Sequence, residues 1–265
     1  MMAEGAAEGT RLTAAEIHKN ILGPGEEELR RPAAALLWSS FASGLVIGFS
    51  FLGGAYASSL ADGNAHAHAA FAAAYPLGFV LVIMARSELF TENTLVPVVP
   101  FLEHRDAERF RHLLRVWGLL LLGNLVGALI FGWALARTPM VEASLQRELG
   151  RIAAEGTSGS FGTIVYAGVF AGWLIALLSW LLASTHATGA QIAMIWLCTA
   201  PIAALRFRHS IAGAVEAFYR AAAGQAGWGE MLGGFVLPAV IGNALGGVLL
   251  VALLNHGQVA AERRE

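Results

Sequence analysis

Two short polar strings interrupt a chain otherwise built from apolar runs, and they restrict its fold more than any other feature. One is Ser87-Glu88-Leu89-Phe90-Thr91-Glu92-Asn93-Thr94; the other is Arg206-Phe207-Arg208-His209-Ser210. Each lies between apolar half-segments too short to cross a bilayer separately. Lipid cannot satisfy freed backbone N–H and C=O groups, so irregular backbone at membrane depth is tolerated only inside protein or beside a water-filled path. Two such interruptions in corresponding halves of a chain point to a transport pathway.

Composition agrees with a membrane domain. The chain is 56% hydrophobic and 14% charged, against about 25% charged in soluble proteins. With about 20 apolar residues needed per crossing, the sequence predicts six spans. They run from Ala33 to Ala57, from Ala69 to the interruption at Ser87 with a remainder Leu95 to Leu102, and from Leu113 to Leu135. The others run from Thr163 to Ala183, from Ala190 to the interruption at Arg206 with a weaker continuation Ile211 to Ala223, and from Met231 to Leu254. This divides the chain into an N-terminal segment (1–32), a six-helix channel domain (33–255) and a short tail (256–265).

Before the first span, Thr13-Ala-Ala-Glu16 fits a capping box, and Ile17, Ile21 and Leu22 give the next turns an apolar side. That predicts an amphipathic helix at the membrane surface, ended by Gly23-Pro24-Gly25. The start, Met1 to Thr10, is acidic and lacks a signal-peptide pattern.

Orientation follows from the positive residues. Arg11, Lys19, Arg30 and Arg31, then Arg105, Arg109, Arg111 and Arg115, then Arg263 and Arg264 fall on one side; Arg137, Arg147, Arg151 and Arg220 fall on the other. Both termini are therefore expected in the cytoplasm, as an even number of spans requires.

The halves echo each other. Gly44-x-x-x-Gly48 corresponds to Gly168-x-x-x-Gly172, Gly123-Asn124-x-x-Gly127 to Gly242-Asn243-x-x-Gly246, and the interruption at Thr91 to that at His209. Three spans per half makes this an inverted repeat, with small residues letting helices approach closely.

His209 is the leading functional candidate, because an ionisable group at membrane depth is costly and imidazole can donate, accept or carry a proton. The alternative is a histidine that ties down irregular backbone. Thr91 in the matching break either faces a pore or satisfies a freed carbonyl, and one residue can do both. Leu89 and Phe90 could form an apolar gate; Tyr75 and Phe79 share one face of the preceding half-helix. Glu88, Glu92, Arg86, Arg206 and Arg208 either pair across the two breaks, as buried charges must, or sit solvated at the mouths.

Several functions find no support. Net charge is −2, so no basic surface suggests nucleic acid. No Gly-x-Ser-x-Gly or phosphate-loop pattern is present, and no enzyme activity, cofactor or metal is expected. Cys198 reads as a buried thiol, and His66-x-His68 as a solvated pair in the loop after the first span.

Glu88-Leu-Phe-Thr91-Glu-Asn93, Phe207-Arg-His209-Ser-Ile-Ala212 and Ile241-Gly-Asn-x-x-Gly-Gly247 resemble, in order and spacing, the signatures of the formate/nitrite transporter family. Leu89-Phe-Thr-Glu-Asn-Thr94 and Gly168-Val-Phe-Ala-Gly-Trp-Leu174 look most like its YfdC-like branch. The resemblance implies an all-α, aquaporin-like protomer with broken second and fifth helices, assembled as a homopentamer in the inner membrane. Each protomer would pass a small monovalent anion or its weak acid, with a proton relay at the central histidine. It places His209 and Thr91 in the path, a cytoplasmic constriction on Tyr75, Leu89 and Phe90, and a periplasmic one on Phe79 and Ile202. The chain departs from the pattern at Gly156, near which the family carries a vestibule lysine, and at Glu92, Arg206 and Gly213. The competing expectations are a channel for another polar or neutral solute, and a pore closed by Glu–Arg pairing.

Overall fold

The computed structural model describes residues 11–61 and 63–262. The acidic start and the Arg263–Arg264 pair lie outside the described residues, which are helical in every regular element.

Helix α1 (Ala14–Arg30) opens as its sequence dictates. The Thr13 side chain accepts from the Glu16 N–H, and the Glu16 carboxylate accepts from the Thr13 N–H at 2.7 Å. Bonds from the Thr13 N–H and hydroxyl hold the Glu16 carboxyl below the usual carboxylate range. The helix does not stop at Gly23-Pro24-Gly25; it continues to Arg30 with Pro24 inside it. Gly25 is there for contact: a Cβ would meet the Val96 carbonyl and lie 2.8 Å from the Pro100 ring. Ile21 and Leu29 are buried in a cluster with Leu95, Val98, Val99 and Leu102. Burial of that face outweighs the hydrogen bond lost at proline, because tertiary packing supplies most of a helix's stability.

Helices α2 (Ala33–Val46) and α3 (Gly48–Ser59) form one apolar rod, Ala33–Ser59. Helices α4 (Asn64–Ala74) and α5 (Pro76–Met84) form the next, Ala65–Met84. His66 and His68 thus lie in a helix, not a loop, and a ring nitrogen of His68 contacts the Ala204 carbonyl at 2.9 Å. The chain then leaves helical geometry, makes a 3₁₀ turn at Glu92–Thr94, and returns in α6 (Val98–His104).

Asp106 caps α7 (Ala107–Arg137) by accepting from the Arg109 N–H at 2.7 Å. At 1.5 Å per residue this helix is about 46 Å long, more than a bilayer core. The connection that follows holds a helix unforeseen from sequence, α8 (Ala143–Gly156). Next come α9 (Phe161–Leu182), α10 (Thr188–Ala204) and α11 (Ser210–Ala222). The last rod, Glu230–Glu262, joins α12 (Leu237–Gly247) and α13 (Leu254–Glu262) through stretches of π geometry.

Among the described residues, five helices are long and apolar enough to cross a membrane, and Thr188–Ala204 is a shorter apolar one. Two close pairings organise them. Helix α2 lies on α7, where a Cβ on Gly44 would strike the Asn124 backbone and one on Gly127 would come within 2.6 Å of the Leu45 nitrogen. Helix α9 lies on α12, where a Cβ on Gly172 would strike the Asn243 backbone and one on Gly242 would lie 2.9 Å from the Gly168 Cα. The outer surface stays apolar: Trp38 is 73% and Tyr166 74% exposed, as suits lipid or a neighbouring subunit rather than water.

Candidate functional site

The two polar strings meet at the centre of the molecule. Helix α5 ends with Arg86 at φ 58°, its N–H reaching the Ile83 carbonyl while the Ser87 N–H reaches Val82. Helix α10 ends identically: Arg206 has φ 57°, its N–H reaches Ala203, and the Phe207 N–H reaches Ile202 at 2.8 Å. This left-handed stop normally favours glycine.

Beyond each stop one buried asparagine holds the irregular backbone. Asn124 on α7 accepts from the Phe90 N–H at 2.8 Å and donates to the Glu88 carbonyl at 3.0 Å. Asn243 on α12 accepts from the Ser210 N–H at 2.7 Å and donates to the Arg208 carbonyl at 2.8 Å. By this register His209 corresponds to Leu89, not to Thr91. The sequence displays both asparagines beside their packing glycines, but nothing in it says which backbone they hold.

Thr91 and His209 nevertheless meet, Oγ1 to Nε2 at 2.9 Å, both fully or nearly fully buried. His209 is also the N-cap of α11, its Nδ1 accepting from the Ala212 N–H at 3.2 Å. An Nδ1 used as acceptor puts the neutral ring's proton on Nε2, which then donates to Thr91 Oγ1. The threonine hydroxyl proton remains for a further acceptor, while a Thr94 hydroxyl donates to the Thr91 carbonyl at 2.7 Å. The Phe79 ring stands edge-on to the imidazole, centroids 5.0 Å apart.

A cavity lies on either side of this centre. The first, about 250 Å³, is lined by Tyr75, Ile202, Arg206, Arg208, His209 and Glu216 among others. The second, about 350 Å³, is walled by Ile21 and Glu28 of α1, with Ile83, Arg86, Glu88 and Glu92. Tyr75 therefore faces the same cavity as Ile202 rather than joining Leu89 and Phe90. The reason is helix rise: Tyr75 and Ile83 are two turns apart and open on opposite sides of Phe79. Leu89 and Phe90 are fully buried, and the Phe90 ring packs edge-on against Trp117 at 5.9 Å.

The charges flanking the strings do not pair across them. Glu88 bonds Arg31 at 2.6 Å, and Arg31 also bonds Glu28 at 2.9 Å. Burial and the nearby Glu88 push the Glu28 carboxyl above the usual range, against the Arg31 bond. Arg206 reaches Glu155 at 3.5 Å, and Arg208 donates to the Glu155 and Ser158 carbonyls. Glu88 and Glu92 line one cavity, Arg206 and Arg208 the other, so the centre separates them. Glu92 keeps one buried carboxylate oxygen without a hydrogen bond.

Glu216 is the residue that sequence reasoning missed. It is 6% exposed, on α11, and its carboxylate fills the space a side chain at Gly156 would need. Its signal was weak: one acid in a helix of small residues.

A family model for formate/nitrite transporters matches residues 15–257. The chain is 34% identical over 243 residues to the inner membrane protein YfdC of Escherichia coli (strain K12), covering 92% of this chain and 78% of that one. It is 26% identical over 248 residues to a probable formate transporter of Methanothermobacter thermautotrophicus, covering 85% and 89%. Among solved structures, an FNT family ion channel superposes with a TM-score of 0.77 at 22% identity, covering 94% of this chain and 99% of that one. A pentameric formate channel with formate bound gives 0.72 at 20% identity, covering 84% and 95%. The chain belongs to the formate/nitrite transporter family, as a multi-pass, all-helical membrane protein.

Proposed function

We propose that this protein passes a small monovalent anion of the formate, nitrite or hydrosulfide class, or its weak acid, between the two cavities through the Thr91–His209 centre. The observation that carries this reading is the 2.9 Å contact between Thr91 Oγ1 and His209 Nε2, buried between the cavities and beside Phe79. Dehydrating an anion in an apolar constriction is costly unless donors replace the lost water. The Thr91 hydroxyl proton is such a donor, backed by Nε2–H. A full relay, in which His209 takes a second proton, requires Nδ1 to release the Ala212 N–H, so conduction through the relay is coupled to a loosening of the α11 cap.

The architecture proposed is six spans in two inverted three-helix repeats, aquaporin-like, with α4–α5–α6 and α10–α11 as broken second and fifth spans. The twin arginine stops and twin asparagine clamps support it. The apolar gate comprises Phe79 with Tyr75 and Ile202 on one side and Leu89 and Phe90 on the other. Both termini are placed in the cytoplasm by the positive residues, with 1–32 and 256–265 flanking the channel domain. A homopentamer in the inner membrane suits the apolar outer surface and the pentameric assembly of the formate channel with the same fold.

Glu216 favours a second reading. Its carboxyl shares the first cavity with Arg206 and Arg208, so this vestibule mixes acidic groups with its arginines instead of presenting arginines alone, which suits a polar solute that is not an anion. The test is flux of formate, nitrite and hydrosulfide into proteoliposomes between pH 5 and 8, with swelling assays for uncharged solutes, wild type beside His209→Asn. Anion flux that rises with acidity and is lost in His209→Asn supports the first reading. Swelling with uncharged solutes and no anion flux selects the second.

A further inference from the structure

Away from the pore, three side chains from three separate helices converge: His18 of α1, Glu103 of α6 and His256 of α13. His256 Nδ1 lies 3.6 Å and His18 Nε2 4.0 Å from the same Glu103 oxygen, Oε2. The imidazole centroids are 5.7 Å apart, and one ligand atom from each residue lies within 4.8 Å of the other two. The His18 side chain is fully buried, His256 is 13% exposed and Glu103 22%. We propose that this cluster is a site for a divalent transition metal of the zinc type, ligated by His18, His256 and Glu103.

The chemistry of the donor set sets the ion class. Two imidazoles with one carboxylate suit zinc or its neighbours in the first row, whereas calcium and magnesium take all-oxygen shells. Zinc at about 2.0–2.2 Å from each ligand would hold these atoms roughly 3.4 Å apart. The Glu103–His256 separation is already close to that, and the two partly exposed side chains can supply the remaining contraction by rotation. Three protein ligands and partial exposure leave a fourth position for water.

The placement gives the site a consequence. Two residues beyond His18, α1 begins to wall the second cavity with Asn20, Ile21, Pro24 and Glu28. A bound ion would fasten α1 to α6 and to α13 near the end of the chain, fixing that wall. Metal occupancy would then hold one mouth of the transport path in a single state. This consequence rests on the transport reading, but the binding does not.

The experiment is titration of the full-length, chelator-stripped protein in detergent with Zn²⁺, read by a competing chromophoric chelator, and with Co²⁺, read by its visible ligand-field bands. One ion per protomer is expected. Affinity should fall at least tenfold in His18→Ala, Glu103→Gln and His256→Ala, and stay unchanged in His104→Ala, a neighbouring histidine outside the cluster. Equal stoichiometry and affinity in all four variants would overturn the site. Because His18→Ala could disturb folding, the wild-type Co²⁺ spectrum decides independently: bands of a low-coordinate nitrogen and oxygen shell support the site, and a hexaaqua-like spectrum overturns it.

Discussion

The two polar interruptions share a frame and differ in everything attached to it. An arginine in the left-handed region stands at the head of each, Arg86 just before the first and Arg206 opening the second, and each is held by one asparagine that brackets a residue between a carbonyl and an N–H. The first is long and heavily tied: Ser39 accepts from the Glu88 N–H, Ser43 donates to the Glu88 carbonyl, and Trp117 donates to the Asn93 carbonyl. The second is short, starting a helix directly at His209; its Arg208 side chain leans on the end of α8 and the turn before α9, and the Arg208 N–H donates to the Ala167 carbonyl within α9. The shared frame solves the lipid problem of unsatisfied backbone; the unshared parts carry the chemistry. The bracketed residue is the buried, apolar Leu89 in one and His209 in the other, so a common clamp presents an apolar side chain once and a hydrogen-bonding one once.

The clamps carry the largest expected effect. Asn124→Ala orphans the buried Phe90 N–H and takes one of two partners from the Glu88 carbonyl, and each orphaned group costs about 1–3 kcal/mol. Asn243→Ala strips its bonds from both the Ser210 N–H and the Arg208 carbonyl. Asn124→Ala should cost roughly 1–3 kcal/mol and Asn243→Ala roughly 2–5 kcal/mol, allowing for partial relaxation. Asn243→Ala should be the worse of the two for backbone order at its string, because Ser43 still bonds the Glu88 carbonyl when Asn124 is lost. Thermal unfolding in detergent measures it; a loss under about 1 kcal/mol at either site would break the shared-frame account.

Next in size is the centre, where the strings differ. Thr91→Val keeps the shape but removes the hydroxyl, and should lower anion flux at least tenfold, about 1.4 kcal/mol of barrier. Thr91→Ser should retain most of it. Equal flux in Thr91→Val and wild type would reduce the Thr91–His209 contact to a structural tie.

Much of this frame is legible in the sequence itself. Hydropathy located the apolar rods, because about 20 apolar residues have few other uses. The Gly44, Gly123, Gly168 and Gly242 positions announced close helix approach, and glycine contacts depend on backbone geometry that a spacing rule captures. Thr91 and His209 stood out because polar residues inside apolar runs are costly. What stayed hidden depends on three-dimensional partners. Pro24 looked like a helix end because the apolar surface that holds α1 together comes from residues 95–102. The salt bridges were unreadable because Glu88 finds Arg31, far off in the chain, and Arg206 finds Glu155 on a helix the sequence showed only as a connection. A shared helix face joins Tyr75 to Phe79 but does not say which cavity each turn lines, and Tyr75 lines the one that Ile202 lines.

A smaller effect tests the frame's strain. A non-glycine residue in the left-handed region costs about 1–2 kcal/mol, part of which glycine returns through its freer unfolded state. Arg86→Gly should therefore stabilise the protein by about 0.5–1 kcal/mol. Arg206→Gly should gain slightly less, since it also loses a largely exposed contact with Glu155. Opposite signs for the two substitutions would show that the matching stops are not energetically equivalent.

The smallest effect separates the strings by their dependence on α8. Glu148 fastens that helix to α3 by accepting from Ser58 at 2.6 Å, and it also accepts from Arg151 at 2.6 and 2.9 Å. The Arg151 bonds hold the Glu148 carboxyl below its ordinary value. A depressed carboxyl contributes stability above its unfolded value, and that contribution is lost as pH falls through the lower folded value. Glu148→Gln should thus cost under about 1 kcal/mol at neutral pH, in line with other partly exposed pairs. The difference from wild type should shrink as acidity protonates Glu148 in the folded protein. Because only the second string leans on the α8–α9 turn, amide exchange at 205–210 should quicken in Glu148→Gln while exchange at 87–94 stays unchanged. Equal quickening in both would mean that the two strings share more than their clamps.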